Sequence, residues 1–333
     1  MTVTHLALLG TWHVHAAHHV EDARNNGATD LAVMWDSDEG RGREFAARHG
    51  LRFEPQLDTI LNDPEIDGVV IDSSTTDHRD LIGRALAAGK HVFSEKVLAA
   101  TPEDARALAA AALKAGRVLH VSFQRLIDPV FQTVLAVIAR GDIGEVTGSR
   151  IRYAHNGAVG IPWIPEHFFD PEQTGGGAII DLGAHPIYLS MALHGAFPGS
   201  VSAEMQFVSG RRIEDNAAFI LSYDGALSSA EVSMVGSSLG HSIEVSGTEG
   251  TIVVGPVDER VLVRRGNDSW QPAELAAGLP DTFDAFVASV LDPDSADYDR
   301  THLELAVRVT DVIDGAYRSA RTGVRVSLDE FTI

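Results

Sequence analysis

The stretch Gly175–His185, GGGAIIDLGAH, sets a carboxylate and an imidazole four residues apart behind three consecutive glycines. If a helix begins at the glycines, Asp181 and His185 lie one turn apart on one face, roughly 5–6 Å between their Cβ atoms. A carboxylate beside an imidazole orients the ring and holds its charge when it takes a proton, which is general-base chemistry. The same residues also suit a capped surface helix with an incidental ion pair. Glycine is costly to order, so three in a row imply a structural reason.

The elements that must position this pair begin with an alternation in the first third of the chain. Short apolar runs at Leu6–Leu9, Leu31–Trp35, Gly68–Ile71, His91–Phe93 and Val118–Val121 read as buried strands. Helical patterns separate them: Ala16–Arg24, Arg43–Arg48, Arg79–Ala88 and Pro102–Ala115, the last with Thr101 as N-cap and Gly116 as stop. Strand–helix alternation predicts right-handed crossovers and a doubly wound parallel sheet, a Rossmann-type domain over residues 1–123.

Ligands of such sheets bind at the carboxyl ends of the strands. Gly10, at the end of the first strand, is followed by Asp36 at the end of the second, the layout of a dinucleotide site. The glycine makes the turn, a helix N-terminus faces the pyrophosphate, and the carboxylate accepts from a ribose 2′-hydroxyl. Asp36 therefore favours NAD over NADP. The strand-end residues Thr11, Trp12, His13, His15, Ser73, Ser74, Thr75, His78, Glu95 and Lys96, with Gln124, complete the expected cofactor contacts.

The loop departs from G-x-G-x-x-G, with Trp12 and His15 at fingerprint positions, and His13, His15, His18 and His19 crowd it. A His-x-His pair suits zinc, copper or nickel. No carboxylate stands in local register beside it, so no metal is expected.

From Ile143 strands follow one another without helices: Val146–Tyr153, Val201–Phe207, Ala217–Ser222, Ala226–Val232, His241–Ser246, Thr251–Val254 and Val261–Arg264. Turn residues link them, predicting an α+β domain over 124–333 with a large, mainly antiparallel open sheet, closed by helices at Asp281–Val290 and His302–Arg321. Tyr153, His155, Trp163 and His167, with Arg125, combine aromatic faces and hydrogen-bonding groups, which suits a sugar ring.

Composition excludes several classes. The 333 residues carry 26 Lys and Arg against 47 Asp and Glu, a net charge of −21 that repels nucleic acid and anionic membranes. There is no cysteine, hence no thiolate nucleophile and no disulfide. The N-terminus lacks a basic, then apolar, signal-peptide pattern, and no run approaches a membrane span, so a cytoplasmic location is expected.

Three stretches together carry a family resemblance: DGVVIDSSTTDHRDLIGRALAAGKHVFSEKVLAATPEDARAL, then GGGAIIDLGAH, then IDGAYRSARTGVRVSL. In this order they resemble the Gfo/Idh/MocA oxidoreductases, named for glucose–fructose oxidoreductase and inositol dehydrogenase. The resemblance implies that Lys96, in Glu95-Lys96-Val97, matches the family lysine beside the reacting carbon, and that Asp181 and His185 match its acid–base pair. The stretch around Arg125, SFQRLIDPVF, matches the lead into the second domain. Departures are Ser74-Thr75 for the common Pro-Asn, Tyr188 for an acidic residue, and Val97 for proline, which predicts a trans bond after Lys96.

The resulting expectation is NAD-dependent oxidation of a secondary hydroxyl of a sugar, polyol, inositol or glycoside, or the reverse reduction. Lys96, Asp181 and His185 form the acid–base set and, with Arg125, Tyr153, His155, Trp163 and His167, contact the carbohydrate. A lyase or glycosidase using tightly bound NAD for transient oxidation, and a non-catalytic nucleotide sensor, remain open alternatives. The resemblance also implies a homodimer or homotetramer.

Overall fold

The computed structural model describes residues 3–159, 163–236, 240–256, 260–292 and 296–328. The chain forms two compact units. Among the described residues the first takes 3–122 and 280–310, and the second takes 123–279 and 311–328.

In the first unit six strands form one parallel sheet in the order β3-β2-β1-β4-β5-β6: β1 (Thr4–Leu9), β2 (Thr29–Trp35), β3 (Arg52–Phe53), β4 (Gly68–Ile71), β5 (His91–Ser94) and β6 (Leu119–Val121). The order reverses beside β1, which lies between β2 and β4, and such a switch point is where doubly wound sheets bind ligands. The central strands bury both faces, as their continuous apolar runs demand, with β4 and β6 buried at every position, whereas β2 exposes Asp30 and Ala32. Thr101 caps the helix Pro102–Ala115 by accepting from Asp104 N, and Gly116 ends it in the left-handed conformation. The helix Thr282–Leu291 returns to this unit, packing Phe283, Phe286 and Val287 into the core with Leu8, Met34 and Phe93. Sequence reading had assigned that helix to the domain beginning at residue 124.

The second unit is built on a nine-stranded sheet in the order β14-β13-β12-β11-β7-β10-β9-β8-β15. Its strands are β7 (Val146–Ala154), β8 (Ser200–Gln206), β9 (Asn216–Tyr223), β10 (Ala226–Ser233), β11 (His241–Gly247), β12 (Gly250–Val254), β13 (Val261–Arg265), β14 (Gln271–Pro272) and β15 (Val326–Ser327). All pairings are antiparallel except β7 with β10, so the sheet is mixed and mainly antiparallel, as expected. The helix Pro129–Ala139 was not anticipated.

The GGGAIIDLGAH stretch is not one helix. A short helix Ala178–Asp181 ends, and a second, Ala184–His194, begins after Leu182 and Gly183. The glycines have a packing cause within this unit. A Cβ on Gly177 would run into the Glu214 carbonyl oxygen, one on Gly176 into the Tyr317 hydroxyl, and one on Gly183 into the Ile179 carbonyl.

Candidate active site

In the first unit the site is assembled at the carboxyl ends of β1, β2, β4 and β5. Gly10 has φ +88°, and a Cβ there would come within 2.9 Å of Ser73 Cα, so only glycine fits. The next turn is pinned to the end of β4: the N–H groups of Trp12 and His13 both donate to Asp72 O at 3.0 Å. Trp12 is buried, so the bulky fingerprint substitution turns inward.

Asp36 is buried and already crowded with donors. Its Oδ2 accepts from Thr11 N (2.8 Å), Thr11 Oγ1 (2.7 Å) and Arg41 Nε (3.1 Å); its Oδ1 accepts from Asp38 N (2.8 Å) and Arg41 Nη2 (2.6 Å). A carboxylate offers about four lone-pair sites, so these contacts already fill Asp36. The Gly10 turn and the strand-end Asp36 carboxylate have the chemistry a dinucleotide site needs, and Arg41, absent from the sequence-based expectation, is paired with that carboxylate. Its signal was an arginine five residues after the strand-end aspartate.

Glu95 lies in a nest of imidazoles. His15 Nδ1 is 2.9 Å from Glu95 Oε1, His19 Nε2 is 3.5 Å from Oε1, and His13 Nδ1 is 4.0 Å from Oε2. Burial disfavours the Glu95 carboxylate, but the charges of His13, His15 and His19 outweigh it and hold the group well below the usual range. His19 Nδ1 is 2.9 Å from Asp72 Oδ2. Burial lowers His19, yet the Asp72 charge and hydrogen bond, with Glu95, raise it to about 9. No carboxylate stands in local register beside these histidines, as expected, but Asp72 and Glu95 reach them from the ends of β4 and β5, far off in sequence.

Ser74 Oγ donates to Asp77 Oδ2 at 2.6 Å, and Thr75 opens a short 3-10 turn, Thr75–Asp77. His78 Nδ1 lies 2.8 Å from Val97 O and is buried, which lowers its pKa. Lys96 is buried rather than an exposed surface lysine, and its N–H donates to Glu95 Oε2 at 3.1 Å. The peptide bond between Lys96 and Val97 is cis, correcting the trans expectation, which rested on residue type alone.

In the second unit, Arg125, Tyr153, His185 and Tyr188 come together. Arg125 Nε donates to Tyr153 Oη at 2.9 Å, and Arg125 N donates to Tyr188 Oη at 3.3 Å. His185 Nδ1 lies 2.6 Å from Tyr188 Oη. The Tyr153 ring is stacked on His185 at 4.4 Å and on His241 at 3.7 Å. A cavity of about 190 Å³ beside this group is lined by Arg125, Asp128, Tyr153, Leu189 and His241, among others. Burial, then the Arg125 charge and His155, lower His241 to about 4, so its ring is neutral near pH 7. Sequence reading missed His241; its signal is the strand register, which sets it directly opposite Tyr153.

His155 and Trp163 meet edge to face at 5.0 Å, and Trp163 is exposed. His167 lies in the turn Glu166–Phe169, with its ring against Phe168. Gln124 opens the short helix Gln124–Ile127. Behind the helix carrying Asp181, the buried Glu214 carboxylate accepts from Gly177 N (3.0 Å), Ile179 N (3.0 Å) and Tyr317 Oη (2.6 Å). Neither Glu214 nor Tyr317 stands in a motif, so spacing could not reveal them.

Two family models match the chain. Residues 5–123 match the oxidoreductase family with an NAD-binding Rossmann fold, and residues 131–253 match the GFO/IDH/MocA C-terminal domain. The chain belongs to the Gfo/Idh/MocA oxidoreductase family. It carries that family's NAD-binding Rossmann domain followed by its characteristic sheet domain. Among relatives of this Gfo/Idh/MocA protein, scyllo-inositol 2-dehydrogenase (NAD(+)) of Bacillus subtilis is 30% identical over 68% of this chain. Trans-1,2-dihydrobenzene-1,2-diol dehydrogenase of Xenopus tropicalis is 25% identical over 71% of it. The matched stretch spans 66% of each of these curated relatives. Among solved structures, GenD2 from gentamicin A biosynthesis in complex with NAD aligns with TM-score 0.84 and 26% identity, covering 99% of this chain and 97% of that one. Among the described residues no helix is long and apolar enough to cross a membrane.

Proposed function

We propose that this protein is an NAD-dependent dehydrogenase that oxidises a secondary hydroxyl of a sugar, polyol or inositol, or runs the reverse reduction. The observation that carries the reading is His185 held by Tyr188 and stacked on Tyr153 beside a cavity bearing Arg125, in a chain with an NAD-binding Rossmann domain. The relative named for scyllo-inositol supports a cyclic polyol as the substrate class.

Bound NAD supplies the hydride acceptor. His185 takes the hydroxyl proton on Nε2, which requires Nδ1 to carry the other proton and donate it to Tyr188 Oη. Asp181 favours the charged imidazole, and Lys96 hydrogen-bonds the substrate oxygen. Arg125, Tyr153, His155, Trp163 and His167 contact the ring and its hydroxyls, and His241 joins them. Gly10, Thr11, Trp12, His13, His15, Asp36, Ser73, Ser74, Thr75, His78, Glu95 and Gln124 are proposed around the dinucleotide. Steady-state turnover of Lys96→Ala and His185→Ala on a competent polyol tests the assignment; full turnover in both would remove it.

We also propose a homodimer or homotetramer. Ile220 of β9 and Leu227 of β10 are exposed on the sheet, an apolar surface that self-association would cover. Light scattering at working concentration checks this, and a monomer mass overturns it.

A further inference from the structure

The histidine-rich loop after β1 converges with two buried carboxylates from other strands, a set that the hydroxyl-oxidation chemistry does not require. We propose that His13, His15 and Glu95 form a site for one divalent ion of the zinc class, backed by the His19–Asp72 pair.

The donor set has the right chemistry and the right reach. One ligand atom from each of His13, His15 and Glu95 lies within 4.8 Å of the others, and the same holds for His19, Asp72 and Glu95. Zinc binds imidazole nitrogen and carboxylate oxygen at about 2.0–2.2 Å, which sets tetrahedral ligands roughly 3.4 Å apart. The His15–Glu95 separation of 2.9 Å is below that value and the His13–Glu95 separation of 4.0 Å above it. Side-chain shifts of about half an ångström bring both to coordination distance. His13 Nδ1 accepts from His15 N at 3.3 Å, a long hydrogen bond that coordination of an ion would replace.

The surroundings are those of a built site. Glu95 and His13 are buried, and Asp72 is fully so. Asp72 Oδ1 has no hydrogen-bond partner although it is enclosed, while Oδ2 holds His19 Nδ1 at 2.9 Å. That carboxylate–imidazole pair turns His19 Nε2 toward Glu95, the outer arrangement that orients metal ligands. Imidazole with carboxylate selects zinc-class ions over magnesium or calcium, which prefer all-oxygen sites. Three protein ligands leave a position open. The ion would tie the loop after β1 to the end of β5 and fix the backbone next to Lys96. His13, His15 and Glu95 are also proposed around the dinucleotide, but failure of the two readings is distinguishable, because this test measures metal and not turnover.

The test uses the untagged full chain, stripped with chelator and titrated with Zn²⁺ by calorimetry, with metal content measured after gel filtration. One equivalent is expected. H15Q and E95Q should weaken binding by at least about 100-fold and D72N by roughly 10- to 100-fold, while H18Q, at an exposed histidine outside both triads, should bind as the parent does. Less than a third of an equivalent in the parent, or parent-like binding in both H15Q and E95Q, overturns the site. Should those variants fail to fold by circular dichroism, Co²⁺ in the parent decides. An intense visible band saturating at one equivalent supports the site, and a weak, aquo-like spectrum refutes it.

Discussion

The hydroxyl of Tyr188 lies 2.6 Å from Nδ1 of His185 and also receives the backbone N–H of Arg125 at 3.3 Å. A tyrosine where the family often has an acid therefore links the proposed base to the segment carrying Arg125. Removing that hydroxyl leaves the imidazole in place but unheld on this side. Tyr188→Phe should lower kcat by about tenfold, the worth of one hydrogen bond of roughly 1.4 kcal/mol. His185→Gln should lower it by about 10²- to 10⁴-fold, as loss of a general base does. Steady-state kinetics on one polyol compares them, and equal losses would contradict the role given to Tyr188.

Arg41 pairs with Asp36, the carboxylate proposed to receive a ribose hydroxyl. Asp36→Ala removes the acceptor for a ribose hydroxyl and releases Arg41, so NAD binding should weaken by about tenfold while NADP binding strengthens. Fluorescence titration with both cofactors reads the ratio; an unchanged ratio contradicts the assignment of Asp36.

Glu214 holds the turn before Asp181. Glu214→Ala leaves Gly177 N and Ile179 N without their acceptor in a buried place, and should cost about 2–4 kcal/mol in urea unfolding. Glu214→Gln keeps one oxygen and should cost less than half of that. Equal costs would show that the carboxylate is not the anchor.

The stacked pair His120 and His302 makes acid stability a testable property. Their rings are 3.9 Å apart, and burial lowers both, His302 to about 4. A histidine whose folded pKa is depressed resists protonation, so its stability contribution is present above the unfolded value near 6.5 and lost as pH falls toward 4. For His302 the loss is roughly 3 kcal/mol across that window. Unfolding free energy measured from pH 7 to 4 should fall less steeply in His302→Leu than in the parent, whatever the variant's stability at pH 7. An identical slope would show that the pair does not titrate this way.

Much of the fold was legible because its signals are local. The strand runs, the Thr101 cap and the Gly116 stop each fix an element from adjacent residues. Asp36 was legible too, since strand-end position sets its place. The missed parts share a different cause. Asp72 and Glu95 meet the histidine loop, Glu214 and Tyr317 meet the glycine run, and His241 meets Tyr153 only through contacts distant in sequence. The break at Leu182–Gly183 was hidden because helical spacing continues across it, and the cis bond at Lys96–Val97 because valine gives no sign of it.

The most direct test of the central claim is a screen of cyclitols, polyols and sugars with NAD and NADP side by side, following reduced cofactor and product mass together. The account predicts net reduced cofactor with NAD on at least one cyclic polyol or sugar, stoichiometric with ketone product, and loss of that turnover in Lys96→Ala and His185→Ala. Substrate consumed by elimination without net reduced cofactor, or NAD binding with no turnover on any compound, would contradict it.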